Sequence, residues 1–303
     1  MNRREALKTG AVLATGAMLA PRLFANQHSH RFKIGACDWS IKKMLELDAF
    51  RMGRELGLDG IQFSFDAEGR GMDLRNKENR DAVRKVVTNT GVGITSLAIG
   101  LLNKIAYSST EEGEQLVVDC IQTMMTLKKE AAQLDDSEIA SKVSPEVVLL
   151  AFFGEGDING KPDLIAKVIE KLKRIAPSAE KHGFILGLET WLNEDDHRHI
   201  LENVDSPAVK VYYDVANSNK MGYDIYKEIE SLGRENICEI HCKENGFLLG
   251  HGRIDFARLK GVINEIDYKD WLIIESAIPK GMEVSKAYKL NVEYMRSVFS
   301  KKT

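Results

Sequence analysis

Four residues in the second half of the chain have types that bind metals and positions that could bring them together. Glu189, Asp214, His241 and Glu275 each stand at or near the end of a short apolar run. The runs read Phe184-Ile-Leu-Gly-Leu-Glu189, Val209-Lys-Val-Tyr-Tyr-Asp214, Ile237-Cys-Glu-Ile-His241 and Trp271-Leu-Ile-Ile-Glu275. Short runs rich in Val, Ile and Leu predict buried strands. Successive runs lie about 30 residues apart, the length of one strand-helix-strand step. A single carboxylate closing a strand is ordinary, because strand ends are often polar. Glu, Asp, His and Glu in succession form a plausible shell for one divalent cation. Carboxylate oxygens with one imidazole suit Mn, Co, Zn or Mg.

These residues need a scaffold that places consecutive strand ends side by side. Upstream, the sequence predicts strands at Phe32–Trp39, Gly60–Phe65, Gly93–Ile99 and Val147–Phe153. Helical spacing marks Leu47–Leu56, Asn79–Thr90, Glu111–Leu134 and Asp163–His182, the last with Pro177 as a point where it can bend. Ser137–Ser144 reads as a loop. Further helices are expected at Asp196–Asn203, Ile225–Leu232, Phe256–Ile266 and Val284–Phe299. Alternating strands and helices imply a parallel sheet. Eight such units, with no glycine-rich dinucleotide fingerprint after the first strand, favour the α/β (β/α)8 TIM barrel over an open doubly wound sheet. In such barrels the C-terminal strand ends form the active site, and the four ligand-type residues fall there.

Composition narrows the functional classes. The 303 residues are 44% hydrophobic and 29% charged with a net charge of −3, an ordinary globular balance without the basic footprint of a nucleic-acid partner. Arg3-Arg4-Glu5-Ala6-Leu7-Lys8 resembles the twin-arginine export motif. The weakly apolar run Thr9–Ala20 and Leu23-Phe24-Ala25 follow it. Residues 1–27 are therefore read as a signal peptide, with the mature chain starting near Asn26, and 28–303 as one barrel domain. Periplasmic location follows, without a stable membrane anchor, since the apolar run is too short to span a bilayer. Cys37, Cys120, Cys238 and Cys242 are expected to remain reduced. The last two lie too far apart along one strand to bridge.

The last four strands carry a resemblance to the xylose isomerase-like TIM barrels of the sugar phosphate isomerase/epimerase type, which extends from Phe32 to about Phe299. Gly187-Leu-Glu189-Thr is similar to the family's first metal glutamate and Asp214-Val-Ala-Asn217 to its aspartate strand. His241-Cys-Lys-Glu244 resembles the His-x-Lys-Asp motif and Ile274-Glu275-Ser the closing glutamate. Gly250-His-Gly-Arg-Ile-Asp-Phe256 is similar to the Gly-x-Gly-x-x-Asp-Phe segment that opens the next helix. Two positions depart from the pattern: Asn217 stands where many members have His, and Glu244 where the motif has Asp. Both positions line the pocket in relatives. The resemblance implies metal ligands Glu189, Asp214, His241 and Glu275, with Glu189 and Glu275 also the catalytic acid and base.

A divalent cation chelating a sugar's carbonyl and neighbouring hydroxyl acidifies the C–H between them, because the enediolate formed next is stabilised on oxygen. Two carboxylates on opposite sides of that carbon can remove and return the proton. The expected activity is isomerisation or epimerisation of a small-molecule sugar, unphosphorylated if the chain is exported. Elimination by a lyase or dehydratase on a keto-sugar or glycoside derivative would use the same base. A non-catalytic exported sugar-binding protein, and a homo-oligomeric state, are compatible with the same sequence. An apurinic-site endonuclease is disfavoured by only seven histidines, of which His28, His30 and His182 lie away from the strand ends.

Around the shell, Lys243 shares strand parity with His241 and is a candidate substrate contact, alternatively a salt-bridge partner. Trp39 and Trp191 on the loops could stack on a sugar, or pack on neighbouring loops. Arg253 could bind an anion or Asp255, and His251 lies on the same rim. Asn217 and Glu244 complete the expected substrate-binding set. Glu239, also of His241's parity, is read as a lower polar-layer or supporting residue. His197 and His199 are expected to be solvated.

Overall fold

The computed structural model describes residues 32–65, 69 and 71–299. The expected signal peptide, His28 and His30 lie outside them. Eight parallel strands close into a barrel in sequence order: β1 (Lys33–Cys37), β2 (Gly60–Ser64), β3 (Gly93–Ile99), β4 (Val147–Ala151), β5 (Ile185–Glu189), β6 (Val209–Asp214), β7 (Ile237–Lys243) and β8 (Trp271–Glu275). β8 pairs back onto β1 through Ile34 beside Leu272 and Ala36 beside Ile274. Alternate strand residues face outward and form one continuous core with the helices. A smaller interior cluster, including Cys37, Ala98, Leu149, Tyr212 and Ile273, fills the barrel.

The surrounding helices are α1 (Asp48–Leu56), α2 (Lys77–Thr90), α3 (Glu111–Ala131), α4 (Ser137–Val143), α5 (Pro162–His182), α6 (Glu194–Val204), α7 (Val215–Lys220), α8 (Ile225–Asn236), α9 (Phe256–Glu265) and α10 (Val284–Phe299). Six of them, α3, α4, α6, α7, α8 and α9, start on a side-chain cap. The Thr110 hydroxyl accepts from Gly113 N at the head of α3, and Asp255 accepts from Arg258 N at the head of α9, each satisfying an amide that the helix cannot. α1 ends where Gly57 takes a φ of 78°, a conformation glycine reaches without steric cost.

Three local expectations change. Ser137–Val143 is a helix and not a loop, because the Asp136 carboxylate accepts from both Glu138 N and Ile139 N. A short helix, α7, follows β6 directly, started in the same way by Asp214. α8 extends to Asn236, past Gly233, whose φ of 70° interrupts it. α5 continues through Pro177.

Two irregularities in the ladder matter for the site. Between β2 and β3, Ile61 pairs with Ile94 but Phe63 with Leu97, so Thr95 and Ser96 together oppose Gln62. Between β6 and β7, Val211 pairs with Ile237 but Tyr212 with Glu239, so Cys238 is the additional residue. Such bulges re-aim side chains next to functional sites. Gly187 on β5 leaves the space needed, since a Cβ there would lie 2.8 Å from Cys238 Sγ.

Candidate metal centre and active site

The closed parallel barrel brings the four strand-end residues to one point. Asp214 lies beside His241 across β6 and β7, and Lys243 beside Glu275 across β7 and β8. One potential ligand atom from each of Glu189, Asp214, His241 and Glu275 lies within 4.8 Å of all the others, and all four residues are buried.

In Asp214, Glu275 and His241 the second atom is already engaged, which fixes the direction of the first. Asp214 Oδ1 accepts from Ala216 N and Asn217 N, both at 2.8 Å, at the start of α7. Its Oδ2 therefore faces the centre, 3.8 Å from His241 Nδ1. Glu275 Oε1 accepts from Trp39 Nε1 at 3.0 Å, leaving Oε2 3.6 Å from the same Nδ1. Glu189 Oε1 lies 3.1 Å from His241 Nδ1 and 3.5 Å from Asn217 Nδ2. On the far side of the ring, His241 Nε2 is 2.8 Å from Gln62 Oε1. Three carboxylates thus converge on one imidazole nitrogen.

This arrangement is electrostatically costly without a cation. Burial raises the Glu189 carboxyl, and Glu275 and Asp214 raise it further against the lowering effect of His241. Burial also acts to raise Asp214, but Lys243, His241 and the α7 amides hold it well below the carboxylate range. For His241, burial disfavours the charged ring, yet Cys37 together with the facing Glu189 and Asp214 carboxylates holds its pKa well above the ordinary value. Lys243 Nζ stands 2.8 Å from Glu275 Oε2 and 3.3 Å from Asp214 Oδ2. Burial acts to lower the pKa of that ammonium, and the two carboxylates raise it overall. The donor set fits a divalent cation: oxygen and imidazole donors, closely spaced, with more negative charge than Lys243 balances.

Above the centre opens a cavity of about 990 Å³, lined by Glu189 and Glu275 together with Trp39, Trp191, Asn217, Lys243, Glu244 and Arg253. His251 is exposed on the neighbouring loop and does not line it. Glu244 is turned toward its own loop, where its carboxylate accepts from Arg253 N at 3.1 Å and Ile254 N at 2.9 Å. Trp191 meets Phe153 edge-on at 5.1 Å, and Lys220 lies 4.9 Å over its ring. Phe247 and Met44, two of the large apolar side chains most exposed among the described residues, stand on the same cavity wall.

His197 differs from expectation. It lies on the buried face of α6 with Nε2 3.0 Å from Thr190 Oγ1, and burial pushes its pKa down to about 4. His199, two residues on and on the opposite face, is exposed. Glu239 occupies the lower polar layer, where Ser96 Oγ and Tyr212 OH donate to its Oε2 at 2.9 and 2.6 Å. Gln62, Ser96 and Tyr212 were not singled out as site residues from sequence. The available signal was parity: in Gly60-Ile-Gln-Phe-Ser-Phe65, Gln62 and Ser64 alternate with large apolar residues, so the polar positions face the interior.

A family model described as xylose isomerase-like TIM barrel matches residues 50–298. The chain is 26% identical over 192 residues to the 2-epi-5-epi-valiolone 7-phosphate 2-epimerase of Actinoplanes sp.. That match covers 63% of this chain and 65% of the relative, less than two thirds of its length. Among solved structures, the 3-keto-D-glucoside 4-epimerase of E. coli is 17% identical with a TM-score of 0.66, over 88% of this chain and 99% of that one. D-Psicose 3-epimerase from Clostridium cellulolyticum H10, solved with D-tagatose, is 15% identical with a TM-score of 0.68, over 89% and 100% of the two chains. At these identities the structural likeness is one of fold.

Proposed function

The chain belongs to the xylose isomerase-like TIM barrel family, and from that premise we propose that it is a divalent-metal-dependent sugar isomerase or epimerase. The observation that carries this reading is the convergence of Glu189, Asp214, His241 and Glu275 within 4.8 Å, with Glu189 and Glu275 lining the cavity. A divalent ion held there would polarise a sugar carbonyl and its neighbouring hydroxyl, stabilising negative charge on oxygen.

The protein's own groups supply the proton transfers. Glu189 from β5 and Glu275 from β8 approach the cavity from strands three places apart. One takes the proton from the carbon beside the carbonyl and the other returns it. Trp39 holds one oxygen of Glu275, so that its other oxygen keeps a fixed direction. Lys243 lies beside that oxygen, where its ammonium can also offset charge gathering on an enediolate. Return of the proton on the opposite face gives an epimer, and return at the neighbouring carbon an isomer.

The cavity volume is at the upper end of the roughly 300–1,000 Å³ that holds drug-sized ligands, so a single sugar ring would fill only part of it. Its size and its apolar wall of Phe153, Trp191 and Phe247 favour a keto-sugar carrying a further group, such as a glycoside, over a free monosaccharide. We also propose that residues 1–27 direct export by the twin-arginine route. A periplasmic substrate would then be unphosphorylated. No described helix is long and apolar enough to cross a membrane. The N-terminal sequence of protein recovered from the periplasm checks the export proposal, which predicts a start near Asn26. A start at Met1 would remove it.

The activity test is incubation of manganese-loaded protein with ketohexoses and 3-keto-glycosides in D2O. The reading predicts deuterium at the carbon beside the carbonyl in substrate and epimer. A product lighter by water or an alcohol would assign elimination, and inertness with bound metal would favour a binding protein.

A further inference from the structure

We infer that a polar ladder running down the inside of the barrel, from Gln62 through Tyr212 and Ser96 to Glu239, determines which nitrogen of His241 is offered to metal. The inference rests on the metal-centre reading above and assigns positioning roles to four residues outside the ligand set.

All four hydrogen-bonding positions of the Gln62 amide are used. Its oxygen accepts from His241 Nε2 at 2.8 Å and from the Cys37 thiol at 3.1 Å. Its nitrogen donates to Tyr212 OH at 2.8 Å and Ser96 Oγ at 3.1 Å. Those hydroxyls can accept from Gln62 because their own protons are directed downward, both to Glu239 Oε2. The other carboxyl oxygen, Oε1, is buried without a partner among the described residues. Oε2 is thus the acceptor whether or not Oε1 carries a proton.

Direction propagates through such a chain, since each hydroxyl has one proton and each amide has an oxygen end and a nitrogen end. With Glu239 Oε2 taking both hydroxyl protons, the amide nitrogen of Gln62 must face down and its oxygen up. An oxygen facing His241 Nε2 requires a proton there. Nε2 therefore keeps its proton in every protonation state, and the lone pair offered to metal is on Nδ1, the nitrogen facing the three carboxylates. Partners of this kind fix the ring orientation and tautomer of metal-binding histidines. The two strand bulges supply the geometry: one sets Ser96 against Gln62, and the other sets Glu239 beside Tyr212.

Removing the acceptor at the bottom should release the top. In Glu239→Leu the two hydroxyls can turn to donate upward, the Gln62 amide can reverse, and an N–H would then face Nε2. Glu239→Gln retains an acceptor oxygen and should keep the direction. The experiment is the zinc dissociation constant, by competition with a chromophoric chelator, for wild type and both variants. A 15N-histidine NMR spectrum of the zinc-loaded forms accompanies it.

Zinc binding should weaken on the order of 10–100-fold in Glu239→Leu and stay near wild type in Glu239→Gln, with His241 protonated on Nε2 and metallated on Nδ1. If the leucine variant does not fold, Gln62→Leu removes the acceptor of Nε2 directly and should weaken zinc similarly. Wild-type affinity in Glu239→Leu or Gln62→Leu would overturn the inference, as would Nε2 metallation in the wild type. Equal losses in Glu239→Gln and Glu239→Leu would also overturn it, by showing dependence on the charge alone. A wild type that takes up no zinc would overturn the metal reading itself and the inference with it.

Discussion

Lys243 Nζ lies 2.8 Å from Glu275 Oε2, so the ammonium and a metal ion would draw on the same carboxylate oxygen. Lys243 also reaches Asp214 Oδ2 at 3.3 Å. In the metal-free protein it offsets these two buried carboxylates together with the His241 ring, and a bound divalent ion would share or take over that role. Lys243→Met should therefore lower the melting temperature of the metal-free protein, because breaking a buried pair leaves uncompensated charge, at a cost of roughly 3–5 kcal/mol. Adding manganese should raise the melting temperature more in the variant than in the wild type. An equal metal-induced rise in both would show that Lys243 and the metal do not share these carboxylates.

Trp39 acts on the same glutamate from the other side. Its indole N–H is 3.0 Å from Glu275 Oε1, and a hydrogen bond to a charged group contributes about 1.5–3 kcal/mol. Trp39→Phe keeps most of the ring but loses the donor. Deuterium exchange into substrate should fall by a factor of roughly 10–150, as that energy range implies. Circular dichroism would check that the fold is retained, and unchanged exchange would mean that Glu275 does not need this donor.

Much of this architecture can be read from the sequence, for a physical reason. Parallel barrel strands are buried on both faces and read as short apolar runs, so their ends stand out, and Glu189, Asp214, His241 and Glu275 lie on those ends. Residues whose role depends on a neighbour were harder to read. Val215–Lys220 has the composition of a loop, rich in Asn and Ser, and becomes a helix because Asp214 caps it. Ser137–Val143 is helical for the same reason, since the Asp136 side chain accepts its first amides. Gln62 looked like one polar residue in a strand. Its importance arises from the bulge that brings Ser96 to it, and register shifts leave no clear mark in a single sequence.

His197 provides a pH test away from the candidate metal site. Its pKa, ordinarily near 6.5, is pushed down to about 4 by burial. Between these values the unfolded chain binds the proton that the folded protein excludes, so stability falls as pH drops from 6.5 to 4 and this effect levels off below. The loss is roughly 3 kcal/mol for a shift of this size. Comparing urea midpoints at pH 7 and pH 4.5 for wild type and His197→Gln isolates this contribution from other titrating groups. The wild type should lose more stability than the variant, and parallel curves would contradict the buried neutral assignment.

The most direct test of the account is the divalent metal content per chain, measured by elemental analysis after incubation with manganese, cobalt or zinc and removal of free ion. About one ion per chain is expected, the number that a single cluster of four ligands can hold, and little in His241→Ala. Wild-type protein that stays empty with all three metals, or His241→Ala that retains the full amount, would contradict it.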